Sequence, residues 1–134
     1  MKTLVTFFCF FALSSFAHAQ FKFEKNGVII TTTPQEIKDK NSTEYGWVFE
    51  LAQIKNTSEK KKKVSFHVDM YYDGICSNCT NNEYFYTFNL APGEIIKGNI
   101  FDRTSSGLKY FKEDKGKRIS AVLSDLQFTS FTVE

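Results

Sequence analysis

Apolar and polar residues alternate along much of the chain, which is the pattern of β-strands that bury one face. The longest run is Val64–Tyr72. It predicts a strand with one face toward the core and the other toward solvent. The predicted core face carries Val64, Phe66, Val68, Met70 and Tyr72, and the predicted solvent face carries Ser65, His67, Asp69 and Tyr71.

Turn-forming residues divide the rest of the chain into further short strands. Asn26-Gly27 is a tight-turn dipeptide, Pro34 is predicted to end a strand, and Ala91-Pro92-Gly93-Glu94 has the order of a type II turn. The strands predicted between these signals are 21–25, 28–33, 47–55, 83–90, 95–101, 108–112, and one or two within 118–133.

A long polar connection and a strand with a large aromatic residue occupy residues 35–55. The polar segment from Gln35 to Gly46 has no regular period and predicts a long connection that can include one helical turn near its start. Trp47, Phe49 and Leu51 share one face of the strand that follows. Because Trp47 is the largest apolar side chain available, we expect it to be buried centrally.

Seven to nine short strands, with turn signals about every 8 to 12 residues, are typical of an all-β sandwich or barrel. We favour a single antiparallel β-sandwich over a closed barrel because the long polar connections suit crossings between two sheets. No internal repeat or linker divides the segment 20–134, so it is predicted to be one domain.

The first nineteen residues are predicted to be a signal peptide. Lys2 supplies a positive charge, Leu4–Leu13 is apolar, and Ala17-His18-Ala19 has the small-x-small pattern of a cleavage site. Cleavage after Ala19 places the mature protein outside the cell or in a periplasm. No later apolar stretch approaches the roughly 18 residues of a membrane span.

Composition and charge narrow the function classes. The 134 residues include 15 Phe, 6 Tyr and 1 Trp, which favours strands. Without the leader, which holds one Lys, 16 basic residues face 15 acidic ones, for a net charge of +1 with histidine neutral. So small a charge argues against nucleic acid as a partner.

Two cysteines, Cys76 and Cys79, remain after the leader is removed. In an exported chain such a pair predicts a disulfide, here within a loop between two strands. A zinc site with His67 or Asp73 is less favoured because structural zinc takes four ligands, mostly Cys or His. A redox role is less favoured because redox pairs usually begin a helix. No cofactor or metal is expected.

Four segments, Phe49-Glu50-Leu51, Lys55–Ser58, Val64–Val68 and Leu90–Glu94, carry a resemblance to a family. Together they resemble small exported immunoglobulin-like domains of the FxLYD type, which have an N-T-S turn, an alternating strand and an L-x-P-G-E turn. The resemblance covers residues 47–101. It implies an immunoglobulin-like sandwich in a bacterial envelope or secreted setting, and it implies no catalysis.

Two surface features are candidate binding sites. Aromatic residues flank the cysteine loop, and Tyr71 and Phe85 are the two that the alternation directs outward. The lysines Lys60, Lys61, Lys62 and Lys63 form a basic patch, which a second cluster would extend if both turns lay at one end of the sandwich. That second cluster is Lys112, Lys115, Lys117 and Arg118. The plainer interpretation is a solvated turn that protects a strand edge.

No catalytic residue is predicted. Ser65, His67 and Asp69 lie on one face of one strand, where successive residues are about 7 Å apart and do not converge as a triad requires. The sequence therefore favours a non-enzymatic exported domain that binds or supports another protein. The alternative is a carbohydrate-binding module that uses the tyrosine-rich face.

Overall fold

The protein is an all-β sandwich, seen in a computed structural model that describes residues 21–103, 106–116 and 120–134. The predicted leader lies outside the described residues. Among these residues nine strands form two antiparallel sheets, and a 3-10 turn spans Asn82–Tyr84. The strands are β1 Lys22–Lys25, β2 Val28–Glu36, β3 Trp47–Asn56, β4 Lys62–Tyr72, β5 Ile75–Cys76, β6 Phe85–Leu90, β7 Ile95–Lys97, β8 Lys109–Asp114 and β9 Leu123–Val133.

The first sheet has the order β1-β2-β3, and β7 and β8 share the remaining edge of β3. The two short strands meet at Ala52, whose carbonyl accepts from Gly98 N–H at 2.9 Å and whose N–H donates to the Leu108 carbonyl at 2.8 Å. β7 and β8 are therefore two halves of one edge strand, interrupted between Gly98 and Leu108. A Cβ at Gly98 would collide with the Leu108 carbonyl, which explains the glycine.

The second sheet repeats this arrangement around β4. β9 pairs with one edge of β4 as far as Tyr72, while β6 and β5 pair with the other edge. The loop 77–84 separates β5 from β6. Both sheets therefore have a continuous central strand and one edge strand in two parts.

The main core lies between the sheets. Its fully buried members include Val64, Phe66 and Val68 from β4 and Ile30 and Ile54 from the first sheet. Met70 is also buried, and Tyr72 is half-buried against this core. The core face predicted for β4 is thus confirmed.

The opposite face of β4 differs from the prediction. His67 and Asp69 lie on the predicted outer face, yet each is only 8% exposed. The loop 77–84 and the side chain of Thr129 cover them, and both make hydrogen bonds to these neighbours. The expectation that they face solvent was wrong because a loop folds back over this part of the sheet.

Trp47, Phe49 and Leu51 share a face, as predicted, but it is the outer face of the first sheet. There they form a second apolar cluster with Ile37 and Ile100, which come from the two loops that cover the sheet. Trp47 is half-buried at the start of β3, so the expectation of a central position was wrong. The neighbouring residues of β3, such as Ala52 and Ile54, face the main core instead.

The polar connection also differs from the prediction. β2 continues through Pro34 to Glu36, which pairs with Val48. Even-numbered residues of β2 direct their backbone groups toward β1, as Thr32 N–H does in bonding the Phe21 carbonyl at 3.0 Å. Pro34 lies beyond the end of β1, so its missing N–H removes no sheet hydrogen bond. The connection that follows forms no helical turn.

A buried ion pair stands at a β-bulge between β3 and β8. The register shifts between Val48 and Phe49, so that Lys112 has no direct partner in the ladder. Its ammonium lies 3.0 Å from a carboxylate oxygen of Glu50, a side chain with no exposed surface. The second oxygen of Glu50 has no hydrogen-bond partner among the described residues. The buried carboxylate of Glu50 is therefore balanced by a lysine that lies at an irregularity of the edge strand.

Candidate binding groove between two free strand edges

A groove of about 430 Å³ runs between β1, at the edge of the first sheet, and β9, at the edge of the second. Residues 21–23 form one wall and residues 125–129 form the other. This is the side of the sandwich that is opposite the interrupted edge strands.

The β9 wall presents unpaired backbone groups. Lys63 and Glu134 exchange two hydrogen bonds of 2.9 Å, which fixes the odd-numbered residues of β4 as those that bond β9. Along the groove, the β9 residues that pair with these odd-numbered residues of β4 are Thr129, Gln127 and Asp125. Leu126 and Phe128 alternate with these and direct their N–H and C=O groups away from β4, into the groove. The Asp125 carboxylate accepts from Leu126 N–H at 2.9 Å. The backbone of Phe128 has no bonded strand on this side within the described residues.

The β1 wall has the same character. Asn26 and Gly27 have φ of 48° and 77°, which suits the tight turn predicted there, and this turn pairs Lys25 with Val28. The register then directs the backbone of Lys22 and Glu24 away from β2. Lys25 closes one end of the groove, because its ammonium donates to the Phe131 carbonyl of β9 at 3.0 Å.

The floor of the groove is aromatic. The ring of Phe23 lies 6.1 Å from that of Phe128 and 4.6 Å from that of Phe131, measured between centroids. These rings belong to the main core or pack against it. The groove therefore joins an apolar floor to two rims that offer backbone hydrogen bonds.

Tyr71 and Phe85 lie on the outer face of the second sheet. Phe85 is 47% exposed and stands opposite His67, four residues from Tyr71 along β4, or about 13 Å. The loop 77–84 lies over His67 between them, and the Tyr71 hydroxyl lies 3.7 Å from Cys79 Sγ. The structure does not bring the two rings together.

Lys60, Lys61 and Lys63 are exposed, while Lys62 is half-buried. Lys63 pairs with Glu134 at 3.4 Å. These lysines adjoin the Asn56 end of β3, whereas Asp114 pairs with Trp47 at the other end. Lys112 and Lys115 of the second cluster therefore do not join them at one end. Lys117 and Arg118 themselves lie outside the described residues.

Cys76 and Cys79 form a disulfide with a Cα–Cα distance of 5.9 Å. Between them, Asn78 completes the ladder of the second sheet where neither β5 nor β6 reaches. Its side-chain oxygen accepts from Met70 N–H at 2.8 Å, and its amide donates to the Val68 carbonyl at 2.7 Å. The disulfide thus restrains a loop that supplies a missing strand partner.

Replacing both cysteines with serine is expected to lower the free energy of unfolding by about 2 kcal/mol, because the bridge closes a ring of four residues. The variant should still fold, since the core does not depend on the loop. Urea unfolding of the wild-type and double-serine proteins measures the difference. Loss of folding in the variant, or two titratable thiols in the non-reduced native protein, would contradict a purely structural disulfide.

His67 and Asp69 do meet, contrary to the expectation from strand spacing. His67 Nδ1 bonds the Asp69 carboxylate, and Nε2 bonds the Asn81 carbonyl at 2.8 Å. Ser65 instead pairs with Thr87, at 2.8 Å between hydroxyl oxygens. Because the Asn81 carbonyl occupies Nε2 and Thr129 Oγ1 donates to Asp69 at 3.2 Å, the pair holds the loop 77–84 and strand β9 in place.

A second cavity, of about 230 Å³, lies between the sheets on the side of the interrupted edge strands. Four tyrosines line it: Tyr72, Tyr84, Tyr86 and Tyr110. Burial raises the pKa of Tyr72 to about 12 and also raises the pKa of Tyr86 and Tyr110. Electrostatic interaction with the nearby Tyr84 adds to the increase in pKa for Tyr72 and Tyr86.

These raised pKa values predict a loss of stability at alkaline pH. Above about pH 10 the unfolded chain releases phenolic protons that the folded protein keeps. The stabilisation that comes from these tyrosines is therefore fully present below that pH and is lost as the pH rises toward 12. Urea unfolding between pH 8 and pH 12 measures the slope. Tyr110→Phe should reduce it, and Tyr45→Phe, which changes a tyrosine that is 46% exposed, should not. Equal slopes in all three proteins would contradict the prediction.

The sequence analysis did not identify the role of Asn78 or the cavity that the inward-facing tyrosines line. The alternation did place Tyr84 and Tyr86 on one inward face, and both do pack against the core. Their position beside the cavity depends on which strands form the interrupted edges. No signal within the strands themselves gives that information.

Comparisons with known proteins do not assign the chain to a family. No family model, no curated protein and no solved structure matches the chain. Within the described residues, no helix is long and apolar enough to cross a membrane. The same residues contain no group of three or more His, Cys, Asp or Glu side chains arranged to hold a metal ion.

Proposed function

We propose that this protein is an exported, non-enzymatic binding domain that holds another protein by adding one of its extended segments to the β9 edge. The observation that carries the proposal is the pair of free strand edges that face one another across the groove. The signal-peptide pattern and the disulfide support a secreted or periplasmic setting, where thiols oxidise. The antiparallel sandwich supports, as part of the same proposal, kinship with immunoglobulin-like FxLYD-type domains.

An extended segment of a partner protein fits both the apolar floor of the groove and the backbone hydrogen-bonding groups of its rims. Its backbone would bond Phe128 and the Leu126 carbonyl as an added strand, which supplies affinity without requiring one sequence. Alternate side chains of the segment would then face Phe21, Phe23 and Phe128, so apolar residues at every second position are favoured. The segment is short because Lys25 closes one end of the groove at Phe131.

Sugar binding by Tyr71 and Phe85 is the alternative function. The loop that covers His67 separates their rings, so they offer no continuous platform for a sugar chain. Strand addition is favoured because it uses groups that already face one space.

The test uses a blocked peptide that alternates valine with threonine and lysine, titrated into the ¹⁵N-labelled mature protein. Binding should shift the amide signals of residues 125–129 and slow hydrogen exchange at Phe128, whose N–H becomes bonded. Phe21→Glu places a charge in the groove and should abolish binding, while Phe85→Glu, the same change on the outer face, should preserve it. Absence of binding, or equal losses in the two variants, would overturn the proposal.

A further inference from the structure

The tyrosine-lined cavity has the features of a small-molecule site and is independent of the β9 groove. It opens where β8 of the first sheet faces the break between β5 and β6 of the second. Met70 and Phe111 complete its apolar lining. Tyr72, Tyr84 and Tyr86 are half-buried, so the cavity is open to solvent along this side.

Two of its four hydroxyls are held by the protein and two are not. The Tyr72 hydroxyl donates to the Phe111 carbonyl at 2.6 Å, and the Tyr110 hydroxyl donates to the Gly107 carbonyl. Tyr84 and Tyr86 have no hydroxyl partner among the described residues. Half-buried donors of this kind gain from an acceptor on a bound molecule.

The walls of the cavity are fixed by contacts behind them. A Cβ at Gly107, where φ is +80°, would lie 2.6 Å from the ring of Tyr86, so the glycine allows the backbone at this position to pack directly on that ring. Tyr84 ends the 3-10 turn whose first N–H groups are capped by Asn81, and His67 bonds the Asn81 carbonyl. Tyr84 and Tyr86, whose hydroxyls have no partner among the described residues, therefore belong to segments that other contacts hold in place.

The chemistry of the lining favours a neutral ligand. Among the described residues no carboxylate lines the cavity, and the Lys109 ammonium is directed elsewhere, to the Asp102 carbonyl at 3.0 Å and over the Phe49 ring at 4.1 Å. A purely apolar ring would fit the aromatic walls but would leave the hydroxyls of Tyr84 and Tyr86 without acceptors. A sugar ring has both apolar C–H faces and hydroxyl oxygens.

We propose that this cavity binds a single neutral pyranose ring, packed against the tyrosine rings and hydrogen-bonded to Tyr84 and Tyr86. Size supports one ring, because 230 Å³ is below the roughly 300–1,000 Å³ of sites for drug-sized ligands. A longer glycan would present only its terminal residue.

The test titrates the mature protein with the methyl glycosides of glucose, mannose, galactose and N-acetylglucosamine at millimolar concentrations, followed by ¹H–¹⁵N spectra. At least one glycoside should shift the amides of Tyr84, Tyr86 and Tyr110. The double variant Tyr84→Phe/Tyr86→Phe keeps both rings and should weaken binding about tenfold or more, while Tyr71→Phe on the outer face should leave it unchanged.

Three outcomes would overturn the inference. They are no shift with any of the four glycosides, shifts confined to Tyr71 and Phe85, and equal affinity in the wild type and the double phenylalanine variant. Circular dichroism of each variant confirms that it is folded. Because the valine peptide is followed at residues 125–129, failure here leaves strand addition at β9 independently testable.

Discussion

Replacing Lys112 with alanine is expected to lower the free energy of unfolding by about 3–5 kcal/mol. The Glu50 carboxylate has no exposed surface, and the Lys112 ammonium at 3.0 Å balances its charge. The other carboxylate oxygen already lacks a hydrogen-bond partner among the described residues. Removing the ammonium leaves a buried charge that costs far more than the side-chain packing that is lost.

The matched control is Lys63→Ala, which removes the lysine of the exposed pair with Glu134. Both side chains of that pair are more than half exposed, and the expected loss is within about 1 kcal/mol. The double variant Lys112→Met/Glu50→Leu should recover most of the stability, because it removes both charges together. Urea unfolding of the four proteins measures these differences. Similar losses for Lys112→Ala and Lys63→Ala would show that the Glu50 pair is not buried in solution.

Phe66→Ala is expected to cost about 3–5 kcal/mol through lost burial and the cavity left behind. Phe66 has no exposed surface, and its ring lies 5.3–5.8 Å from those of Phe88, Phe128 and Phe131. The matched change Phe85→Ala, on the outer face of the adjacent strand, should cost under about 1 kcal/mol. Chemical unfolding compares the two, and losses of similar size would contradict the assignment of faces in the second sheet.

The core face of β4 could be predicted from the sequence, and the core face of β3 could not. In β4 only one face is apolar, so a shift of one residue would expose the whole core face and the register is unambiguous. In β3, Phe49 and Leu51 alternate with Ala52 and Ile54, and both faces are buried. Periodicity then identifies the strand without telling which face meets the other sheet.

The burial of His67 and Asp69 could not be predicted because it depends on a loop. The alternation correctly placed both on the outer face of β4. Their cover comes from Asn78 and Asn81, whose bonds to the strand and to His67 join residues separated by 8 to 14 positions. Polar residues in a loop carry no period that signals such contacts.

The groove could not be predicted from local patterns either, because it depends on the topology of the two sheets. Asn26-Gly27 predicted the β1–β2 hairpin, and the alternation predicted that Phe21 and Phe23 share a face. That β1 and β9 are the free edges, and that they lie across from one another, follows from the strand order of two sheets. Strand order is set by packing between distant segments, which a local pattern does not record.

The interruption at Ala52 makes the connection between Gly98 and Leu108 a suitable site for inserting a foreign peptide. Gly98 and Leu108 are both fixed to Ala52, so the two ends of any inserted peptide are held at a constant short separation. The entropy of closing such a loop grows only slowly with its length. A foreign epitope could therefore be displayed here as a constrained loop with the sheet intact. The insertion would cost the contacts that Ile100 makes on the outer face, that Asp102 makes with Lys109 and that Gly107 makes with Tyr86.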